Sequence, residues 1–513
     1  MGVYSGITKS LAALVGIFSP SSALRYAQHH RALASMLGYG GADRSGANAR
    51  WIPRDGNINL RNAKDRKLLQ ARARQLADDN PHVSGALQRI IQNVIRGGIK
   101  PQCQIMRGGK LHTAANDVVE ADFAAWEQKT QFYDFQALTL RHLWTDGGCI
   151  VHWFIRPDYA KEGIVPLGIE MLDIDALDES ITGILSNGNR AFHGVEVNAY
   201  GDMVALHIKA VDIFGGFSAQ LGETKRIETS HCALVMRQER IGQVLPVSWM
   251  HAVIQTMHNL GEYQQSEQIA ARLQAAFGVF VVLPPEQFEG NMPNGKPIQP
   301  ALTGGVDTLG RLINGEEFIG QGRMDVLPAG ADIKTAKVDR PGNNYAPYVK
   351  STTRGVSAAF GMSHEAFSND YTEASYSSVR QAVLEERISY VEMQKLIIKK
   401  LCIPVFAEWA KARMLLMGGT GIIPVRWQRP AWGWVDPVKD ANAAKTKLEI
   451  GVSTRRMICE EMGYDFDDIE RQRQQEKDLD NEQKTEKKEP ESTDSTRDAG
   501  KADSAVDNKQ LPE

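Results

Sequence analysis

Phosphate binding is the first chemistry the residues raise. Gly290, Gly295 and Lys296 stand at the spacing of a loop whose backbone N–H groups and lysine surround phosphate oxygens. Pro297, however, sits where a Ser or Thr would hold magnesium, and it has no N–H to offer. Neither a long helix nor a clear strand pattern frames residues 290–297. An enzyme acting on nucleic acid through this loop is therefore the alternative reading, not the leading one. His251, His258 and Glu262 share one side of a helix, but gaps of seven and four residues give a poor zinc site without a second close histidine. The paired acids Asp78-Asp79, Glu385-Glu386 and Asp467-Asp468 are adjacent in sequence. On a helix they diverge by about 100°, so they do not share a substrate. Gly-x-Ser-x-Gly is absent, and the five cysteines have no paired spacing. The residues thus call for no catalytic group, no metal and no cofactor, and the scattered cysteines fit a reducing compartment.

What remains distinctive is a polar stretch between two helical patterns. After Pro341-Gly342, Val349, Val356, Ala359 and Phe360 recur at helical spacing until Gly361. Residues 362–377 are rich in Ser, Thr, Asn and Asp, whose side chains bond their own backbone and compete with helix. From Ser378 to Met417, apolar residues return every three or four positions, with a kink expected at Pro404 and a stop at Gly418-Gly419. Between Met362 and Val379 there is no Lys or Arg. A loop that gripped duplex DNA would be basic, because each Lys or Arg contact to phosphate adds affinity. His364, Ser368, Asn369, Thr372 and Ser375 instead make a weakly acidic, hydrated lip. Lys350 and Arg354, one turn apart on the preceding helix, either form a sparse basic row or pair with acids of a neighbouring copy.

The elements that must position this loop read as α+β. At 513 residues the chain needs two or more domains. Helices are expected at Arg66–Ala77, at Pro81–Ile95 behind an Asn80 cap, at Ala114–Lys129 and at Phe135–Trp144. The period then falls to two. Strands are expected at Cys149–Ile155, around a hairpin turn at Tyr200-Gly201-Asp202, and at Ala233–Met236. Helix returns over Pro246–Ala276, followed by short strands near Val279–Leu283 and Met324–Leu327 that flank a Pro- and Gly-rich excursion. A strand at Ile422–Trp427 and helices at Asp436–Ile450 and Thr454–Met462 complete the pattern. Beyond Arg471 there is no aromatic residue and almost nothing apolar, so disorder is expected there. Net charge is only −3, yet residues 1–110 carry 17 Lys plus Arg against five Asp and no Glu. That basic segment either touches nucleic acid or an acidic partner, or is a solvated face. Leu11–Phe18 after Lys9 imitates a short signal peptide, with a surface helix as the other reading, and no apolar run is long enough to span a bilayer.

Several segments resemble the lambda-type portal proteins of tailed phages. They are Ala358–Ser363, Asn369-Asp370-Tyr371, Ser375–Arg380, Ala77–Ala86, Gly194–Gly201 and Arg240–Trp249, in that family's order across roughly Arg44–Asp468. The resemblance implies a portal fold. Its parts would be a basic, partly disordered segment (1–62), a mixed α/β wing (63–245), a first stem helix (246–277), a small β clip (278–340), a second stem helix (341–361), a channel loop (362–377), a long kinked wing helix (378–420), a helical crown (421–470) and a disordered tail (471–513). It further implies a homo-oligomeric ring, typically of twelve copies, at one capsid vertex. Double-stranded DNA would pass through it without sequence preference during packaging and ejection. The implied partners are the terminase large subunit, a head–tail joining protein, and the major capsid or scaffold protein, with no membrane. The implied location is the virion, after assembly in the host cytoplasm. On that reading His364, Ser368, Asn369, Thr372 and Ser375 line the channel, with Lys350 and Arg354 on the stem.

Overall fold

The computed structural model describes residues 50, 52, 56–209, 224–276, 281–282, 326–327, 344–417 and 422–486. The chain divides into two units, Met1–Arg61 and Asn62–Glu513. Expectations for the Leu11–Phe18 stretch, most of the basic amino-terminal segment, the loop at 290–297, the Gly418-Gly419 stop and residues beyond 486 lie outside the described residues. So does the expected clip, apart from Val281–Val282 and Val326–Leu327, which pair in parallel.

Four helices come first among the described residues. The first, α1 (Ile58–Asp79), starts at Ile58 and not at the expected Arg66, because Asn57 supplies a cap: its side chain accepts the Asn59 N–H at 2.8 Å. The polar run that follows hid this turn from periodicity. In α2 (Pro81–Val94) the expected cap is present, with Asn80 Oδ1 accepting from His82 and Val83 N–H at 3.0 and 3.2 Å. Its stripe Val83, Leu87, Ile90 and Val94 is buried. Helices α3 (Thr113–Thr130) and α4 (Phe132–Thr145) follow as expected.

Two antiparallel sheets come next. In the first, β2 (Gly148–Ile155) lies between β3 (Leu167–Asp173) and β9 (Cys232–Met236), with Ile150 opposite both Leu172 and Leu234. Strand β3 has no clear period-two signal, since Gly168 and Glu170 interrupt the apolar residues. The second sheet is a five-stranded meander, β4 (Gly183–Ile184) through β8 (Thr224–Glu228), containing the hairpin β6 (Val195–Val197) and β7 (Met203–Lys209). Its turn has Gly201 at φ +88°, and Asn198 Oδ1 accepts the Tyr200 and Asp202 N–H groups, both at 2.9 Å.

The expected helix over 246–276 is shorter. A 3-10 turn at Trp249–Ala252 precedes α5 (Ile254–Ala276), and Ser248 caps that turn. The tight turn lets Trp249 and Met250 both reach the core. Helix α6 (Tyr345–Phe360) packs against α5 through Tyr263, whose ring lies 4.8 Å from Tyr348 and 5.8 Å from Tyr345. Helix α8 (Tyr376–Ile397) and α9 (Ile403–Met417) make the long arm. The irregularity expected at Pro404 takes the form of a π-turn, Ile398–Cys402, closed by the Ile403 N–H on the Ile398 carbonyl. A wider turn gives the proline ring room where it would otherwise meet the carbonyl four residues back. This places Phe406 and Trp409 against Phe123, with ring centroids 5.7 and 5.1 Å away, so the arm closes the same core that α3 and α4 begin.

Past the arm, β12 (Val425–Gln428) pairs with β1 (Lys100–Cys103), tying residues expected to form a crown to the segment that follows α2. Helices α10 (Pro437–Glu449), α11 (Arg455–Glu461) and α12 (Phe466–Glu486) follow. Helix α12 corrects the expectation of disorder from Arg471. It contributes little burial, and ion pairs one turn apart support it: Arg471 with Asp468 and Arg473 with Glu470. Arg471 also reaches Asp117 at 3.0 Å. Deleting residues from 473 onward should therefore change stability by no more than about 0.5 kcal/mol, whereas a cut before Arg471 loses a long-range tie. Denaturant unfolding of the two truncations distinguishes these outcomes.

Candidate functional site on the loop between two helices

The stretch at 362–377 is less of a free loop than its composition implies. Ser363 caps a short helix, α7 (His364–Ser368), its hydroxyl accepting the Ala366 N–H at 3.1 Å. Met362, Ala366 and Phe367 are buried, and Phe367 packs on Phe360 and on the His82 ring at 5.6 and 5.9 Å. Apolar residues three and four apart outweigh the local competition of the hydroxyls, which is why the expected hydrated lip is half a lip.

Five of the seven residues singled out from the sequence come together. Lys350, Arg354, His364, Ser368 and Thr372 line one open cavity of about 780 Å³, with His82, Asp370 and Glu373. The other two are held elsewhere. Asn369, at φ +56°, accepts from Arg89 at 2.6 Å, and Ser375 forms a reciprocal capping box with Ser378 that starts α8.

Within the chain, Lys350 and Arg354 meet an acid on the stretch itself. Glu373 of the same chain takes them: its carboxylate lies 2.5 Å from Lys350 Nζ and 3.9 Å from Arg354. The hydrogen bond and charge of Lys350 hold the Glu373 carboxyl below the usual carboxylate range. Asp370 is likewise held low by the Thr372 hydroxyl and N–H. Burial, with the charge of Arg354, pushes His364 below its ordinary value, and neither ring nitrogen has a protein partner among the described residues. His364 is therefore neutral at pH 7. The contributions of His82 and Arg89 could not be read from the sequence, since α2 lies far from the loop along the chain and no pattern links them.

One cluster has the composition of a cation site. His142, Asp146 and Asp173 place potential ligand atoms within 4.8 Å of one another. Arg74 fills that corner, with Nε on Asp146 at 2.6 Å, Nη2 on both Asp173 oxygens at 2.9 Å and Nη1 on Asp175 at 2.8 Å. Burial pushes the Asp146 carboxyl up. Hydrogen bonds from His142 and Thr145 and the charge of Arg74 more than offset this, leaving it below its ordinary value. Asp146 is 1 % exposed and Arg74 37 %. Arg74→Ala should thus cost about 2 kcal/mol, less than a fully buried pair because solvent already screens the guanidinium. Urea denaturation checks this.

Comparison with known proteins settles what kind of chain this is. The family model for phage portal proteins of the lambda family matches residues 44–394. The chain belongs to that portal family. Among relatives, a probable portal protein of Halomonas phage phiHAP-1 is 28% identical over 425 residues, 79% of each chain. The portal protein of Escherichia phage N15 is 23% identical over 189 residues, 34% of this chain and 36% of the relative. Portal protein B of Escherichia phage lambda is 23% identical over 165 residues, 29% and 31%. A solved chain from the virion of a native gene transfer agent particle aligns with a TM-score of 0.38 at 14% identity, covering 81% of this portal chain and 94% of that one. Portal proteins are structural and not known as enzymes. No described helix of this one is long and apolar enough to cross a membrane.

Proposed function

We propose that this portal protein forms a ring, family-typically of twelve copies, at the unique capsid vertex, and that DNA passes along the ring axis during packaging and ejection. The terminase large subunit docks on the outer side during filling, head–tail joining proteins dock afterwards, and the rim meets the major capsid or scaffold protein. The loop at 362–377 with the Lys350 and Arg354 face of α6 borders the channel. One observation carries this reading: the stretch that joins α6 to the long arm has no cation of its own, Lys350 and Arg354 face Glu373, and Arg89 is engaged by the Asn369 side chain. Such a surface lets a polyanion slide without holding it.

Exposed apolar residues on the long arm support association of copies. Ile388 is 67 % exposed, and Leu384, Ile403, Leu415, Leu416 and Met417 are exposed as well. Exposed apolar residues concentrated on one element mark an interaction surface more often than isolated ones do. Mass measurement on purified protein is the direct test, with a ring expected. A sharp monomer at high protein concentration and low ionic strength would sink the proposal.

A further inference from the structure

A second cavity, distinct from the one lined by Lys350 but bordered by Ser363, Glu365 and Tyr371 of the same stretch, gathers cations without ion-pair partners among the described residues. It measures about 310 Å³, at the lower end of small-molecule sites, and is lined by Arg89 of α2, Arg96 just beyond it, Arg387 and Tyr390 of α8, and Trp432. Each guanidinium is hydrogen-bonded only to a neutral oxygen among the described residues, and Arg387 also lies over the Trp432 ring, 5.7 Å from its centroid. Arg89 donates to Asn369 at 2.6 Å, Arg96 to the Ala431 carbonyl, and Arg387 to the Gly433 carbonyl at 2.9 Å.

Two carboxylates, Glu365 and Glu386, also line this cavity. Glu386 is engaged by the Ser363 N–H at 2.7 Å and by the Tyr390 hydroxyl at 3.4 Å, and among the described residues no ion pair joins either acid to the three arginines. A guanidinium has five N–H donors in a rigid fork, so each arginine keeps donors to spare. Two further donors point the same way. Arg387 Nε and Trp432 Nε1 are both buried and have no hydrogen-bond acceptor among the described residues. Orphaned buried donors are destabilising, and a ligand rich in acceptors relieves them. Burial pushes the Arg387 guanidinium below its ordinary pKa and the Arg96 charge adds to this, with the Asp440 carboxylate only partly opposing it.

We infer that this cavity is a binding site for a phosphate group, held by Arg89, Arg96 and Arg387 with the Trp432 indole N–H as a further donor. Phosphate fits better than a carboxylate. A carboxylate presents two oxygens in one plane and suits one guanidinium, whereas the tetrahedral group presents oxygens to donors arriving from α2, from α8 and from the segment around Trp432. The site does not depend on a ring forming.

The test is calorimetric titration of the full-length protein with inorganic phosphate, with ionic strength held constant by sodium chloride and sodium acetate as a parallel arm. Saturable uptake of about one phosphate per chain is expected, with acetate at least tenfold weaker. Arg387→Gln should weaken phosphate at least tenfold. Arg89→Gln, which removes only a surface hydrogen bond to Asn369, should weaken it several-fold and serves if the first variant fails to fold. A short single-stranded oligonucleotide that phosphate displaces would assign the group to nucleic acid, and one that phosphate leaves in place would assign it to a free anion or small ester. Equal binding of acetate and phosphate, heat that does not saturate, or unchanged binding in Arg89→Gln overturns the inference.

Discussion

Glu373→Lys is expected to leave the fold and assembly intact while slowing or stalling DNA packaging at low salt. Glu373 is an exposed residue whose structural partners are Lys350 and Arg354, so its removal leaves no buried group unpaired. Reversal adds a cation and releases two others, giving three uncovered positive charges where the native loop has none. In a ring of twelve, even about six of these meeting phosphate at one moment give a salt slope of roughly −5 on log axes. Affinity for duplex DNA would then rise on the order of 10³-fold between 200 and 50 mM salt. Glu373→Gln uncovers two cations without adding one and should lie between. The measurement is DNA filling of proheads as a function of salt, with relief expected as salt rises. Native packaging rates at low salt in both variants would mean that this face does not meet DNA. Asn369 is a poor place for such a test, since a lysine there would lose the Arg89 hydrogen bond and sit at φ +56°.

Local chemistry was legible wherever a short-range signal decided the outcome. Asn80-Pro81 foretold the start of α2, Gly201 foretold the hairpin, and Gly361 foretold the end of α6, where it takes φ +66°. The α+β order of elements could be read in the same way. Helix α12 escapes a criterion of apolar burial, because charges one turn apart support it. The half-buried loop escapes a criterion of polarity for the opposite reason: Ala366 and Phe367, two apolar residues among many hydroxyls, are buried, Phe367 packing on Phe360 and His82. Long-range pairings were not legible at all. Nothing in the residues around Glu373 says that it meets Lys350 of the same chain, and nothing in Arg387 says that Arg96 and Trp432 share its cavity. Family resemblance supplied the expected role of the loop, but it carries no information on which charges are already neutralised there.

Gly147→Ala is expected to destabilise the folded protein severely, because this position joins the core under α4 and β2 to the segment leading into α5 by direct backbone contact. Gly147 has φ +84°, a conformation that costs a residue with a Cβ about 1–2 kcal/mol. Lack of space costs more. A Cβ there would lie 2.2 Å from the Val247 carbonyl carbon and 2.3 Å from its oxygen. Backbone atoms cannot swing aside as a side chain can, so residues 246–248 would have to move. They are fixed on both flanks. Gly148 is held under the Val235 carbonyl, where an added Cβ would meet that oxygen at 2.5 Å, and Ser248 donates its hydroxyl to the Trp144 carbonyl at 2.7 Å. Trp144 in turn stacks on Phe360 with ring centroids 4.7 Å apart, at the end of α6 where the 362–377 stretch begins. A shift at Val247 thus reaches the candidate site through packed groups with no slack. The combined cost should exceed about 4 kcal/mol, a large part of the roughly 5–15 kcal/mol that typically separates folded from unfolded chains. Expression trials and circular dichroism against Gly163→Ala provide the comparison. Gly163 also has positive φ, at +75°, but an added Cβ there meets nothing within 4 Å, so that variant should suffer only the backbone strain. Equal stability of the two variants would show that the Gly147 backbone can give way, and that the core and the segment before α5 are less rigidly joined than the close approach to Val247 requires.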